Sequence, residues 1–377
     1  MGVAPSFSFY YLILAISLFG LVNGSALGLL FHRRRWYGYG AAGAVLAFLS
    51  EEVYSWYRLG YADTGALGHA AGYGACIWIV ANIVMVLPLF LSGLLGLIPK
   101  LRRTFSVFAA AAAIGAVSFA AYGVCIGGAK EEIHVLPVAV ADLPPSFEGY
   151  RIAQVTDTHI GPYYRYEDLD SDLAAAISQN VSLVAITGDL IDDNRFMPDV
   201  TRVLRARGRS FPDGIVYVWG NHEYFHDRSE VREGLWVAGV PILENSSRYV
   251  NRGGESLYLA GVDYPWSRGE EKPVEEAAMA ERAFSGIPKG AVSILLAHHP
   301  DFIDEGFSHG AALTMAGHTH GMQLGLLGKA LFSPYKYTRG LYKDGGLAGY
   351  VSRGNGGWFP FRFGCSREMV IYELHRA

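Results

Sequence analysis

Five short blocks of this chain combine carboxylate, amide and imidazole side chains that could bind metal ions: Asp157-Thr-His159, Gly188-Asp189, Gly220-Asn-His-Glu223, His298-His-Pro300 and Gly317-His-Thr-His320. Hard oxygens from Asp157, Asp189 and Asn221, with the borderline imidazoles of His159, His298, His318 and His320, suit Mn, Fe or Zn. Each residue alone has a plainer use. An isolated Asp or Asn after a strand most often caps a helix, and an isolated histidine is commonly hydrogen-bonded scaffold. What sets this chain apart is that every block follows an apolar run of strand length.

Residues 150–155 run into Asp157, and 181–186 run into Gly188-Asp189. Residues 215–218 precede Gly220-Asn221, 292–297 precede His298, and 313–316 precede Gly317-His318. Between them, Leu169, Leu173 and Ile177 recur every four residues like the buried stripe of a helix, and Val231, Leu235 and Trp236 form a second helical pattern. Alternating strands and helices predict an α/β unit in which ligands lie beyond the carboxyl ends of the strands. The polar residues should then converge on one rim of a sheet sandwich flanked by helices. Glycines before Asp189, Asn221 and His318 permit tight turns and close backbone approach. Residues 134–143 read as a connector, and 368–373 as a final strand.

The first third of the chain has a different character. Hydrophobic residues make up 51% of the whole and charged residues only 18%, and the charges thin out sharply before residue 130. A helix crosses a bilayer with about 20 apolar residues. Residues 7–31, 67–98 and 104–128 meet that requirement, the last rich in Ala and Gly for close helix packing. Residues 36–57 are a weaker span, interrupted by Glu51 and Glu52, which read as a water-facing helix end rather than an intramembrane proton site. The expected organisation is a transmembrane helical region over 1–130 and a water-soluble domain over 131–377. A cleavable signal peptide at the N-terminus is disfavoured, because no basic region precedes a long apolar run. Basic residues favour the cytoplasmic side. Arg33, Arg34 and Arg35 follow the first span, and Lys100, Arg102 and Arg103 follow the third. Both clusters share that side only if 36–57 crosses. The N-terminus and the soluble domain then lie outside a cell membrane that the chain crosses several times.

The net charge of −4 offers no footprint for nucleic acid, and three cysteines allow no disulfide framework or zinc-knuckle spacing. Two alternatives stay open for the late aromatics. Trp358, Phe359, Phe361 and Phe363 read either as a strand with alternate members in the core or as an apolar lip dipping into a bilayer. Tyr163 and Tyr164 could line a cleft, while Arg353 and Arg362 could bind phosphate oxygens or be solvated at the surface.

Taken in order, the five blocks resemble the calcineurin-like metallophosphoesterases, and most closely the membrane-bound or exported bacterial branch together with animal transmembrane proteins bearing such a domain. The resemblance covers roughly 134–375, including Gly261-Val-Asp263, Ser352-Arg-Gly354 and Pro360-Phe-Arg362. It implies a four-layer α/β/β/α sandwich, here preceded by a bundle of about four transmembrane helices. It also implies two divalent metal ions, manganese foremost among Mn, Fe and Zn. Asp157, His159 and His320 would hold the first, Asn221, His298 and His318 the second, and Asp189 would bridge them. His298 is preferred to His299 because Pro300 fits the family's His-x-Pro pattern. His222 would act on the transition-state oxygens or the leaving group. A phosphate ester is anionic and repels nucleophiles, so two cations about 3.5–4 Å apart can neutralise it and generate hydroxide.

These implications describe a membrane-anchored phosphoesterase acting on a phosphate ester, with lipid-linked esters among the candidates. A pyrophosphatase of the UDP-2,3-diacylglucosamine type is the alternative, although its cytosolic substrate conflicts with an outward-facing domain. A receptor or transporter whose soluble domain only binds would tolerate loss of Asp189.

Overall fold

The computed structural model describes residues 7–58 and 65–377, with side chains from Ile13 onward. Residues 1–6, at the head of the stretch weighed as a signal peptide, lie outside the described residues. The chain forms two compact units, Met1–Ala129 with Phe359–Arg362, and Lys130–Trp358 with Phe363–Ala377.

The first unit contains helices α1 (Phe7–Phe31), α2 (Trp36–Arg58), α3 (Gly65–Leu95) and α4 (Arg102–Tyr122), the last prolonged through Gly127 by a looser turn. Three helices among the described residues are long and apolar enough to cross a membrane, over residues 13–31, 65–95 and 102–127. The stretch around Glu51 and Glu52 is helical as expected, but α2 is not one of those three. Its two glutamates and four tyrosines dilute the apolar character. The two carboxylates also part company. Glu51 is 2% exposed and Glu52 lies at the surface, as adjacent helical positions pointing about 100° apart must.

Small residues bring α1 and α2 together. A methyl group at Gly20 or Gly43 would overlap the other's carbonyl, and one at Gly24 would strike the Tyr39 carbonyl. This is the packing that lets helices associate where no hydrophobic drive exists. Ala109, Ala116 and Ala120 of α4 are buried with Ala81, Met85 and Leu89 of α3. Asn23 donates to Asn82 Oδ1 at 2.7 Å. Phe359–Arg362 packs in this unit rather than forming a strand. Phe361 meets Phe119 at 5.4 Å between ring centroids, Phe359 meets Tyr54 at 5.4 Å, and the Arg362 amide donates to the Gly123 carbonyl.

The second unit runs β1 (Glu131–Val140), β2 (Tyr150–Val155), α5 (Tyr166–Ser178), β3 (Leu183–Thr187), α6 (Met197–Gly208), β4 (Ile215–Val218), α7 (Arg228–Ala238), β5 (Ser246–Arg252) and β6 (Glu255–Gly261). It continues through α8 (Glu271–Phe284), β7 (Ser293–Leu296), α9 (Phe302–Ser308), β8 (Leu313–Ala316), β9 (Gly325–Leu326), β10 (Lys329–Ala330), β11 (Gly340–Asp344), β12 (Leu347–Val351) and β13 (Arg367–Arg376). One sheet has the order β1-β13-β2-β3-β4, the other β11-β12-β8-β7-β6-β5, and β9 and β10 form a separate hairpin. The stretch that read as a connector is therefore strand β1, paired in parallel with β13 from Glu131↔Arg367 to Val140↔Arg376.

Apolar faces are buried on both sides of each sheet. Ile152, Leu183, Val216 and Val218 meet Leu257, Leu259, Ile294 and Leu296 between the sheets. Leu169 and Leu173 of α5, Val200 of α6 and Val231 of α7 cover the outer face of the first sheet. Met279 of α8 and Phe302 of α9 cover the second. The result is the four-layer α/β/β/α sandwich. Trp236, grouped by pattern with Val231 and Leu235, is 79% exposed on the outer side of α7.

Candidate metal centre

β2, β3 and β4 are parallel neighbours in one sheet, and β7 and β8 are parallel neighbours in the other. Their carboxyl ends open on one rim, which receives Asp157, Asp189, Asn221, His298 and His318 directly from the strand ends. The backbone there is unusual. Asp157, His159, Asp189, His318 and His320 all have positive φ, between 47° and 73°. Non-glycine residues seldom adopt that region, and its concentration in one place marks a functional site. Glycines make the approach possible: a methyl at Gly220 would overlap the Asp189 carboxylate, and one at Gly317 would overlap that of Asp157.

The donor atoms gather into adjoining groups, Asp157 with His159 and His320, and Asp189 with His298 and His318, with His159, Asp189 and His222 forming a third that overlaps both. In the first, His159 Nε2 lies 3.1 Å from His320 Nε2, which lies 3.4 Å from Asp157 Oδ1. In the second, His298 Nε2 lies 3.2 Å from His318 Nδ1 and 3.1 Å from Asp189 Oδ2. The same Asp189 oxygen is 3.5 Å from His159 Nε2, so it faces both groups. Asn221 is held at this rim between Gly220 and His222, whose amide donates to Asp189 Oδ1 at 2.9 Å. Its side-chain oxygen is buried and accepts no hydrogen bond.

The donor set suits cations on three counts. Imidazole nitrogens directed at one another within about 3 Å need a positive charge or a proton between them, since two lone pairs repel. A buried amide oxygen with no donor is costly unless something electropositive faces it. The field is also strongly negative. Burial pulls His298 towards neutrality, yet the carboxylates of Asp189 and Asp157 outweigh it and raise its pKa to about 9. Burial likewise opposes ionisation of Asp189, but His298, His222 and His159 hold its pKa well below the usual range.

A surrounding shell orients these side chains. Asp192 Oδ1 accepts from Nδ1 of both His159, at 2.9 Å, and His222, at 2.7 Å. That leaves Nε2 of His159 for the centre. The Thr187 carbonyl accepts from His298 Nδ1 at 2.8 Å, and the Tyr335 hydroxyl sits 3.2 Å from His318 Nε2. Glu223 is fully buried and accepts from the amides of Leu190 (2.6 Å), Gly220 (3.0 Å) and Asp189 (3.2 Å). Asp192 and Tyr335 were not singled out in the sequence, where neither sits in a block. The one available signal was that Asp192 follows Asp189 by three residues in the same loop.

Several neighbours differ from expectation. His299 lies beside the centre with its ring 4.9 Å from that of His318, while its nitrogens meet Lys272 and the Asp301 amide. Tyr164 lines no cleft, because it is buried and donates to Asp172 at 2.6 Å. Arg353 is neither solvated nor free for phosphate, since Glu368 (2.6 Å) and Glu132 (3.0 Å) bind its guanidinium. Arg362 is 2% exposed and likewise not a surface residue.

Replacing Asp192 with alanine is expected to weaken divalent-metal binding about 10–100-fold, because His159 loses the partner that fixes its tautomer. Metal titration of the full-length protein followed by calorimetry measures it. Unchanged affinity would mean that packing alone holds the ring.

A family model for calcineurin-like phosphoesterases matches residues 150–322. The uncharacterised metallophosphoesterase YkuE of Bacillus subtilis is 28% identical over 244 residues, covering 62% of this chain and 81% of that protein. An uncharacterised metallophosphoesterase of Helicobacter pylori is 30% identical over 251 residues, covering 66% and 65% respectively. A transmembrane protein with metallophosphoesterase domain from Danio rerio is 28% identical over 273 residues, covering 68% and 60%. The chain thus spans less than two thirds of the last two relatives. The matched segment holds all five strand-end blocks, so the chain carries a calcineurin-like metallophosphoesterase domain, of a family of metal-dependent hydrolases.

Proposed function

We propose that this protein is a membrane-anchored phosphoesterase working with two divalent metal ions, manganese foremost. Asp157, His159 and His320 would hold one, Asn221, His298 and His318 the other, with Asp189 between them. The observation that carries this reading is the Asp189 oxygen facing both donor groups, at 3.5 Å and 3.1 Å. Bound there, two cations supply neutralisation of the anionic ester and acidification of water. The chain's own part is positioning and proton handling. Asp192 anchors Nδ1 of His222 while the ring stays partly open to solvent. Its Nε2 edge would then donate to a phosphoryl oxygen or to the departing oxygen. Glu223 keeps the loops carrying Asp189 and Asn221 in register.

Anchoring rests on the helical unit. The Arg102 side chain donates to the Leu30 carbonyl at 2.8 Å, which brings Lys100–Arg103 to the end of α1 that carries Arg33–Arg35. Since α2 runs back along α1 through Gly43 and Tyr39, both basic clusters occupy one end of the unit. Placing that end in the cytoplasm makes this a multi-pass protein whose catalytic domain is extracytoplasmic. That side disfavours a pyrophosphatase acting on a cytosolic nucleotide lipid.

The test is a substrate panel with full-length protein and added manganese, covering phospholipids, nucleotide diesters and a chromogenic monoester. Hydrolysis of at least one compound is expected, abolished by chelator and restored by manganese. Metal-replete protein that cleaves none of them would refute the reading.

A further inference from the structure

Between two parts of the centre, the chain makes an apolar excursion into solvent. It leaves the site at His320 and returns at Tyr335, whose hydroxyl touches His318. In between lies the β9–β10 hairpin, with Leu326 opposite Lys329 and Gly325 opposite Ala330. Its large side chains are outside any core: Leu326 is 57% exposed, Leu327 93%, Leu331 55% and Phe332 63%.

The turn itself is informative. Leu327 has φ of 49° and Gly328 of 79°. Two successive positive φ values define the hairpin turn that ordinarily takes Asn-Gly or Gly-Gly. A leucine there is strained by its Cβ and is also presented to water. The hairpin therefore bears two local costs at one apex, and neither is offset by contacts within its own unit.

Charge points to what would offset them. From Gly321 to Arg339 the chain has no acidic residue; of its cations, Lys336 is paired with Asp304 at 2.8 Å and Arg339 donates to the Gly364 carbonyl. Lys329 is exposed beside the apex. An apolar tip with an exposed lysine beside it matches the interface of a bilayer with anionic headgroups, where apolar side chains enter the acyl boundary and a lysine reaches phosphate. The same chain carries helices long and apolar enough to cross a membrane, so a bilayer is held at high effective concentration.

We propose that the β9–β10 hairpin is a bilayer-inserting element of the catalytic unit, and that the centre beside it serves phosphoesters carried by membrane amphiphiles. The second half of this statement rests on the phosphoesterase reading above; insertion itself does not. The base of the hairpin is fixed for the task. The Gly325 amide donates to the Phe363 carbonyl at 2.7 Å, and the Phe363 amide donates to the Gln323 carbonyl at 2.9 Å. An inserted tip would thus be coupled rigidly to the loop that carries His320.

Insertion is tested with the full-length chain in vesicles of phosphatidylcholine and phosphatidylglycerol. A nitrobenzoxadiazole label is placed on Leu327→Cys in a background with the exposed Cys125 changed to serine. Insertion predicts quenching by lipids brominated in their acyl chains and protection from aqueous iodide. Quenching by iodide alone would overturn it, and so would protection from both quenchers, which would mean that protein covers the tip. Catalysis supplies the second arm. Leu327→Asp with Phe332→Asp should slow hydrolysis of a bilayer-borne phosphoester by about tenfold or more, the equivalent of losing two buried apolar side chains. Turnover of a soluble chromogenic ester should stay within about twofold, because neither residue touches the centre. A parallel fall on both esters, or no fall on either, would overturn delivery of amphiphiles. If the unaltered protein cleaves neither ester, the phosphoesterase reading fails while the quenching result still decides insertion.

Discussion

Asp189→Asn should lower kcat/KM by about a thousandfold or more, a loss of roughly 4 kcal/mol in transition-state stabilisation. The substitution preserves volume and leaves an acceptor for the His222 amide, now 2.9 Å from the carboxylate. What it removes is the charge that faces both donor groups. An amide in that place would offer one neutral oxygen, and could turn its NH2 towards His298 and His159. Metal content measured by mass spectrometry on the same sample should fall as well, separating loss of cations from loss of fold. A domain that only binds its ligand predicts unchanged function. Near-normal hydrolysis with full metal content would therefore remove the shared carboxylate from the mechanism.

Glu223→Ala should be the most damaging change to the architecture of the centre. Its carboxylate is the acceptor for three backbone amides, those of Asp189, Leu190 and Gly220. Leaving buried donors unpaired costs about 1–3 kcal/mol each. A total of about 3–5 kcal/mol is a large fraction of the roughly 5–15 kcal/mol that holds a typical domain together. The expected result is a markedly lower melting temperature of the purified full-length protein, with loss of bound metal before the main transition. Burial, followed by the nearby Asp189 charge, raises the pKa of Glu223, so the amides are what make this carboxyl group tolerable there. Glu223→Gln retains one acceptor oxygen and should fall between the two. A melting temperature for the alanine variant equal to that of the unaltered protein would show that the loops are held by packing instead.

The two residues illustrate different degrees of legibility. Asp189 could be read from the chain because it follows an apolar strand and a glycine, and local pattern places such a residue at the carboxyl end of a sheet. Glu223 was visible only as a member of the Gly220-Asn-His-Glu223 block. Its work as a brace between loops depends on amides 33 or more positions away. Asp192 lies in no block at all, and only the converging Nδ1 atoms of His159 and His222 reveal it. The neighbours Tyr163 and Tyr164 looked alike in sequence, yet Tyr164 turns inward to Asp172. Arg353 looked available for phosphate until Glu132, which lies 221 positions earlier, proved to be its partner.

Strand β1 was missed for a related reason. Its run carries Pro137, which cannot donate to a ladder, and is completed only by the last strand of the chain. The aromatics at 358–363 suggested an apolar lip or a strand. They form no strand: Phe361 packs on Phe119 and Phe359 on Tyr54, within the helical unit. An exposed apolar element is instead the hairpin with Leu327 at its apex, whose turn no residue preference would have indicated.

By itself the amino-acid order determined the kinds of donor present, the strands that end in them, the layered fold and the apolar character of the first third. Each of these follows from short-range periodicity or from residue chemistry. Tertiary structure alone decided which nitrogen of each histidine faces inward, which carboxylate is shared, which residues brace the loops and which leucines reach solvent. Such facts depend on atoms from segments as far apart as His159 and His320, separated by 161 positions. No local rule carries distance or direction across that gap.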